Sequence, residues 1–270
     1  MNLAGGEDMF QIDQLKEKIK KNGVVVGTHV KWPEGNIVEL FAMAGYDYIW
    51  IDGEHSTLGI NDVNSHIRIA QSNNAAAFYR VRCNEPAVVK PILELGPDGI
   101  IFPMVCTAEE ARRAVAACKY PAAGVRGYAP GRAIKYGLMD LDTYLEETKK
   151  IWTIIQIEHI EAVKNLDEIL QVPGIDAIVV GMMDLSASLG KLGQVEDPYE
   201  MELLDTIAEK TKKAGLPFGV SMGYNPKIVQ DWIRRGASLI SVGGEEEFLC
   251  RMARKTLEEM REFGERGNIE

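Results

Sequence analysis

Short apolar segments alternate with amphipathic helical segments eight times along this sequence. The apolar segments carry the β-branched and aromatic residues of buried strands. Glycines stop several helices just before the next strand begins, as at Gly45, Gly96, Gly215 and Gly236. This alternation predicts an α/β fold, a (β/α)8 TIM barrel in a single domain. The alternative is a doubly wound open sheet, but no G-x-G-x-x-G motif follows the first apolar segment.

The boundaries of the elements follow from these apolar runs and from the residues that start and stop helices. We predict strands at 24–30, 48–52, 76–81, 99–104, 151–158, 177–181, 217–221 and 239–242. We predict helices at 36–44, 61–72, 86–95, 107–118, 142–149, 161–170, 201–214, 226–235 and 245–263, the last being the C-terminal helix. Residues 1–20 are expected to form an N-terminal extension or helix within one domain spanning 1–270. Thr107 and Glu110 have the spacing of a capping box.

Composition excludes several classes of protein. The chain has 270 residues, a net charge of -10 and no dense run of Lys and Arg, so we expect no nucleic-acid partner. No apolar run approaches the roughly 20 residues of a membrane helix, so we expect no membrane partner. The four cysteines form no CxxC pair, and the first eight residues lack the features of a signal peptide. We therefore expect a cytoplasmic protein with reduced thiols.

Polar residues are concentrated where the predicted strands end, and in a TIM barrel the active site forms at those carboxyl ends. His29 and Lys31 stand at the end of the first strand, and Asp52 to His55 at the end of the second. Arg80 and Arg82 stand at the end of the third strand. The fifth strand ends with Gln156 and Glu158, and the turn from Gly181 to Asp184 follows the sixth. The sequence therefore predicts a polar site at the carboxyl end of the barrel.

Two of these residues, Glu158 and Asp184, stand on neighbouring strands. Paired carboxylates suit a hard divalent cation such as Mg²⁺ or Mn²⁺. The alternative is structural: Asp184 could cap the helix that follows it, and Glu158 could pair with a lysine. A histidine after the second strand as base and an arginine on the third as an oxyanion partner favour a metal-assisted carbon–carbon lyase.

The sequence resembles the HpcH/HpaI aldolases, which are metal-dependent class II pyruvate aldolases. This family includes 4-hydroxy-2-oxoheptanedioate and 2-keto-3-deoxy sugar-acid aldolases. The resemblance covers roughly residues 27 to 254, and six ordered motifs carry it. They lie at 45–47 with 51–55, at 81–86, at 102–105, at 120–127, at 156–158 and at 172–186.

The resemblance implies a role for each matched position. Glu158 and Asp184 resemble the metal-binding carboxylates, with Mg²⁺ or Mn²⁺ as the cation and Co²⁺ as a further candidate. His55 resembles the catalytic base, and Glu94 occupies the position of the acid that orients it. The other implied roles are an enolate-stabilising arginine at Arg80, an acid supporting the metal's water shell at Asp52, a glutamine near pyruvate at Gln156, and amides that hold the pyruvate carboxylate at Met183 and Asp184 after Gly181.

The implied reaction is cleavage of a 4-hydroxy-2-keto acid to pyruvate and an aldehyde through the pyruvate enolate. A decarboxylase acting on a 2-keto diacid through the same enolate is one alternative, and a barrel that has lost catalysis and serves in binding or assembly is another. A Schiff-base aldolase would need a buried lysine, and only Lys31 lies near a strand end. Arg126 and Arg132, in a long irregular segment at 120–139, could bind a carboxylated aldehyde.

Four departures from the family pattern concern the site. Glu94 replaces the usual aspartate, and His29 stands where many members carry tryptophan and so lies near the substrate. Gly181-Met182-Met183 replaces a Gly-Pro turn, and His159 replaces a Thr or Ser after the metal glutamate. The resemblance also implies a homo-oligomer, a dimer or a trimer of dimers. In it the C-terminal helix could be exchanged between subunits through Phe248, Leu249, Met252 and Leu257, although these residues would serve packing within one chain equally well.

Overall fold

The computed structural model describes residues 11–266, and these residues form a closed barrel of eight parallel strands in chain order. The strands are β1 (Val25–Val30), β2 (Tyr48–Asp52), β3 (Ala76–Arg80), β4 (Gly99–Phe102), β5 (Trp152–Ile157), β6 (Ala177–Gly181), β7 (Phe218–Met222) and β8 (Leu239–Gly244). Strands β1 and β8 pair in parallel and close the sheet. The predicted (β/α)8 barrel is therefore confirmed.

Helices surround the strands. They are α1 (Ile12–Asn22), α2 (Gly35–Met43), α3 (Ile60–Ser72), α4 (Pro86–Leu93), α5 (Ala108–Cys118), α6 (Leu141–Thr148), α7 (Ile160–Lys164), α8 (Leu166–Leu170), α9 (Met182–Ser188), α10 (Pro198–Lys213), α11 (Pro226–Arg234) and α12 (Glu245–Arg266). The long segment between α5 and α6 contains a 3₁₀ stretch, Arg132–Gly137. The predicted extension at 1–20 falls within the description only from residue 11 onward.

Local chemistry explains where prediction and structure agree and where they differ. Thr107 accepts from the amide of Glu110, which confirms the capping box at the start of α5. The single helix predicted at 161–170 is wrong. It is two helices divided at Asn165, whose side-chain amide donates to the carbonyl of Cys106 at 2.9 Å. Helix α10 begins three residues early because Asp197 caps it and Pro198 occupies its first position.

The barrel interior is filled below the carboxyl ends of the strands. Large aromatic side chains from three strands form a buried layer there, and Ile12 and Leu15 of α1 pack into the same cluster. Gly27 is required beside this layer, because a Cβ on it would lie 2.2 Å from the ring of Tyr48. A second, larger apolar cluster joins the strands to the outer helices. Among the helices of residues 11–266, none is both long and apolar enough to cross a membrane.

Candidate active site

A cavity of about 300 Å³ opens at the carboxyl ends of the strands. Most of the predicted site residues line it: His29, Asp52, His55, Arg80, Gln156, Gly181, Met183 and Asp184. Glu158 lies directly behind Gly181, whereas Glu94 is not among the lining residues. The barrel therefore brings together side chains from β1, β2, β3, β5 and β6 in one place.

Asp52 and Arg80 form a buried, two-bond ion pair at the base of this cavity. Arg80 donates from Nε to Asp52 Oδ1 at 3.1 Å and from Nη2 to Asp52 Oδ2 at 2.7 Å. The same carboxylate accepts from the amides of Glu54 and His55. Burial opposes both charges, but their attraction outweighs it. The pKa of Asp52 therefore falls below its usual value and the pKa of Arg80 rises. Asp52 thus orients the guanidinium and the following loop.

His55 follows that loop and is open to the cavity, with 61% of its side chain exposed. Its Nε2 lies 3.8 Å from Glu54 Oε2, and the same Glu54 oxygen lies 3.0 Å from Arg80 Nη1. Burial raises the pKa of Glu54. Gly53 permits this arrangement because its backbone passes close to Tyr79. A Cβ on Gly53 would lie 2.1 Å from the Tyr79 hydroxyl. Glu54 is therefore the carboxylate beside His55 within one chain.

Glu94 has a different neighbour. Its Oε1 lies 3.7 Å from Nη2 of Arg126, a buried arginine that also donates to the carbonyl of Leu93 and the hydroxyl of Tyr144. Burial raises the pKa of Glu94. The structure thus pairs Glu94 with Arg126 rather than with His55.

The arginines of the long segment hold that segment in place. Arg126 is committed to Leu93 and Tyr144, and Arg132 donates to the carbonyl of Leu95 and to Gln71. Neither arginine lines the cavity. The suggestion that they bind a carboxylated aldehyde is not supported by these contacts.

Glu158 is buried behind the cavity wall. Its Oε1 accepts from the amide of Met104 at 2.8 Å, and its Oε2 accepts from the side-chain amide of Gln156. Gly181 leaves space for this pair, since a Cβ on it would lie 2.5 Å from Glu158 Oε2. The alternative of a Glu158–lysine ion pair does not occur in the described residues.

The residues around Glu158 fit a hard cation. Burial, reinforced by the nearby charge of Asp184, raises the pKa of Glu158 to about 7. A cation between these carboxylates would relieve that repulsion. The buried Oε1 of Gln156 has no hydrogen-bond partner. Residues 11–266 contain no cluster of three or more His, Cys, Asp or Glu side chains arranged as ligands. The chain therefore offers two carboxylates and an amide oxygen, a set that leaves positions for water and substrate.

A histidine–serine pair lines the cavity from β1 and β7. His29 Nδ1 lies 2.8 Å from the carbonyl of Gly243, and His29 Nε2 lies 2.9 Å from Ser221 Oγ. The register of β1 and β8 shifts here, and Gly243 has a φ of 61°, which a side chain rarely tolerates. This irregularity places the Gly243 carbonyl against the imidazole. Burial lowers the pKa of His29 to about 4.

The profile of the HpcH/HpaI aldolase/citrate lyase family matches residues 28–251. The chain belongs to this family, which makes it an enzyme of the aldolase and lyase class. The 2-dehydro-3,6-dideoxy-6-sulfogluconate aldolase of Pseudomonas putida is 31% identical over 241 residues, which cover 88% of this chain and 93% of that protein.

Two further members of the family are similar over most of their length. The 4-hydroxy-2-oxo-heptane-1,7-dioate aldolase of Salmonella dublin is 31% identical, covering 88% of this chain and 91% of that protein. A crystal structure of an HpcH/HpaI aldolase from Desulfitobacterium hafniense superposes with a TM-score of 0.86 at 29% identity, covering 92% of this chain and 96% of that one. The whole barrel is therefore shared.

Within this HpcH/HpaI barrel, His29 is expected to stay neutral down to about pH 4, because burial disfavours its charged form. The unfolded chain binds a proton near pH 6.5, so the contribution of His29 to stability is complete above that pH. It is lost as the pH falls from 6.5 towards 4, by at most about 3 kcal/mol. NMR titration of the ring, assigned with a His29→Asn variant, measures the midpoint. A midpoint near 6.5 would contradict this prediction.

Sequence reasoning missed two contributors to the site, Ser221 and Met104, and gave no role to a third, Glu54. Ser221 is the last residue of the predicted seventh strand, and its position there could have identified it. Glu54 was seen, but only the structure places it against Arg80 and His55. Met104 donates its backbone amide to Glu158 and has a φ of 54°. Because the contact is made by the backbone, the residue type at position 104 does not indicate it.

Proposed function

We propose that this HpcH/HpaI family member is a metal-dependent aldolase that cleaves a 4-hydroxy-2-keto acid to pyruvate and an aldehyde. One observation carries the proposal: Asp184, Arg80 and Gln156, with its unpartnered oxygen, line one cavity, and Glu158 lies directly behind its wall at Gly181. The relatives named above are aldolases, and their names support the same reaction class.

The keto acid is expected to bind on the β5–β6 side of the cavity. Helix α9 begins at Met182, and the amides of its first turn, including those of Met183 and Asp184, lack partners within the helix. They can receive the carboxylate of the substrate. Arg80 uses Nε and one N–H of Nη2 for Asp52, and its Nη1 lies 3.0 Å from Glu54. The second N–H of Nη2 and one N–H of Nη1 remain for the keto oxygen. Arg80 therefore stabilises the negative charge that develops on that oxygen.

His55 is the base in this proposal. Its exposed ring removes the proton of the 4-hydroxyl group, and Glu54, 3.8 Å away, stabilises the imidazolium that results. The hydroxyl oxygen becomes the aldehyde carbonyl as the C3–C4 bond breaks, and the bonding electrons move to the keto oxygen. Protonation at C3 then gives pyruvate. Glu94 takes no part in this scheme within one chain, because it is paired with Arg126.

The cation in this proposal is Mg²⁺ or Mn²⁺, with Co²⁺ as a further candidate. Glu158 and Asp184 would hold it, and Gln156 lies beside them. When bound, such a cation supplies Lewis-acid chemistry at the keto acid's oxygens. Asp52 contributes by orienting Arg80 rather than by supporting the metal's water shell.

The test is a retro-aldol screen that detects pyruvate from a panel of 4-hydroxy-2-keto acids, with chelator and with each of Mg²⁺, Mn²⁺ and Co²⁺. We expect pyruvate and aldehyde in equal amounts, with activity lost in chelator and restored by metal. Oxaloacetate is included because a decarboxylase would release CO₂ and no aldehyde. Full turnover in chelator, or the absence of pyruvate from every substrate, would overturn the proposal.

The assembly we propose is a homo-oligomer formed through α12. Phe248 packs against Phe41 of its own barrel, but the apolar residues beyond it are exposed on one face of the helix: Leu249, Met252, Leu257, Met260 and Phe263. Leu40 and Met43 are exposed on the neighbouring α2. One chain thus carries two apolar patches, and a second copy can cover both.

A Leu257→Glu/Met260→Glu variant is expected to shift this assembly to monomers. Two carboxylates among the exposed apolar residues of α12, the apolar stripe, oppose the burial of that stripe against a second copy. Size-exclusion chromatography with light scattering measures the mass. Arg254→Glu is the control, since Arg254 is also exposed on α12 but outside the apolar stripe. A wild-type chain that is monomeric at micromolar concentration would contradict the proposed assembly.

We also propose a cytoplasmic location. Cys83, Cys106, Cys118 and Cys250 are free thiols in the fold, as suits a reducing compartment. Fractionation of cells that express the chain would test the location.

A further inference from the structure

The direction of the hydrogen bonds around His29 defines what Ser221 can offer a ligand. The Gly243 carbonyl can only accept, so the His29 proton sits on Nδ1. A neutral imidazole then has its lone pair on Nε2, and the Ser221 hydroxyl must donate to it. The hydroxyl proton of Ser221 is therefore engaged in the hydrogen bond to His29. The lone pairs of Ser221 Oγ remain available as hydrogen-bond acceptors at the cavity surface.

The strand order places this acceptor beside the keto acid, on the side away from β5. Ser221, Gly243 and His29 lie on β7, β8 and β1, which are neighbours in the barrel. The residues assigned to the keto acid and its cation, Gln156 and Asp184, lie on β5 and just after β6. Ser221 is the register partner of Gly181, so the remainder of a substrate that extends from the keto acid towards β7 meets Ser221. In an aldol reaction that remainder is the aldehyde portion.

The charge along this arc is negative. Glu245, Glu246 and Glu247 line the cavity here, and Lys31 lies 3.5 Å from Glu246. Glu245 is buried and accepts from the backbone amides of Lys31 and Trp32. Arg251 lies 2.6 Å from Glu247, so three carboxylates face two cations here. The remaining negative charge opposes the approach of an anionic tail.

We propose that Ser221, polarised by His29, forms a subsite that accepts a hydrogen bond from a hydroxyl group of the aldehyde portion. The enzyme then selects neutral hydroxyaldehydes over deoxy aldehydes and over carboxylated ones. Ser221 determines specificity, and His29 is a positioning residue that acts through it. This inference rests on the proposed aldolase function.

The experiment measures kcat/KM for condensation of pyruvate with glyceraldehyde, propanal and succinic semialdehyde in the presence of Mn²⁺. We expect the wild-type chain to prefer glyceraldehyde to propanal by about tenfold, the net value of one hydrogen bond, and to use succinic semialdehyde least. Ser221→Ala should lower the glyceraldehyde-to-propanal ratio about tenfold. Ser221→Thr, which restores a hydroxyl, should keep the ratio within about threefold of wild type.

Two controls separate this subsite from general effects. Thr28→Val removes a hydroxyl that donates to the same Gly243 carbonyl but does not line the cavity, so the ratio should stay unchanged. His29→Phe should lower the ratio in the wild-type background and add nothing in Ser221→Ala, because it acts through Ser221.

An unchanged ratio in Ser221→Ala, or a wild-type preference for succinic semialdehyde, would overturn the subsite. Exchange of the pyruvate methyl protons in D₂O reports enolate formation without any aldehyde. If exchange occurs but the chain does not discriminate among the aldehydes, only the proposed subsite is contradicted. If neither exchange nor condensation occurs, the proposed function and the subsite are both contradicted.

Discussion

Replacing Glu158 with glutamine is expected to lower kcat of the aldol cleavage by about 10³-fold, or about 4 kcal/mol in activation free energy. The variant keeps the size of the side chain and an oxygen for the Met104 amide, but it removes one of the two carboxylates available to the cation. Mn²⁺ affinity, measured by calorimetry, should fall together with kcat.

The matched control for this variant is Glu168→Gln, which makes the same change at an exposed position of α8. It should retain wild-type turnover and metal affinity. Thermal unfolding in the presence and absence of Mn²⁺ adds a reading that does not depend on activity, because a ligand bound only to the folded state raises its melting temperature. Wild-type turnover by Glu158→Gln in chelator would rule out the metal assignment.

Arg80→Lys is expected to lower kcat by about 10² to 10³-fold. Lysine keeps the positive charge but cannot form the two parallel hydrogen bonds that Arg80 makes with Asp52. The charged end of the side chain is therefore no longer held in one orientation. The variant should also be less stable, because Asp52 is fully buried and loses its paired partner.

Arg82→Lys is the matched control. Arg82 lies two residues further along the chain and donates to the carbonyls of Gly53 and Leu58, outside the cavity. Its replacement should leave kcat within about threefold of wild type. A kcat of Arg80→Lys close to wild type, in a variant that remains folded, would remove Arg80 from the proposed mechanism.

The barrel itself could be predicted because its signals are local. The bounds of β2 and β6 agree with the predicted 48–52 and 177–181, since apolar runs bounded by polar or turn residues define buried strands. The start of α5 was predicted from Thr107 and Glu110 alone. The break at Asn165 could not be predicted in this way, because it depends on a contact with Cys106, far away in the sequence.

The candidate site was only partly predictable for the same reason. Strand ends identify which side chains reach the cavity, so Asp52, His55, Arg80 and Gln156 were found. Their partners depend on barrel closure and register. The contact between His29 and Ser221 joins β1 to β7 across the end of β8. The roles given to these residues by family resemblance remain predictions until the variants are measured.

The closed amino end of the barrel has a consequence for how ligands reach the cavity. Aromatic side chains and α1 fill the interior beneath the cavity, so the described barrel has a single doorway, at the carboxyl ends of its strands. Gln156 and Glu158 are almost fully buried, whereas Asp184 and Ser221 stand nearer that doorway. Under the proposed function, the keto acid and the aldehyde would therefore enter and leave through this one opening. The plug at one end of the barrel thus makes substrates and products share the opening at the other.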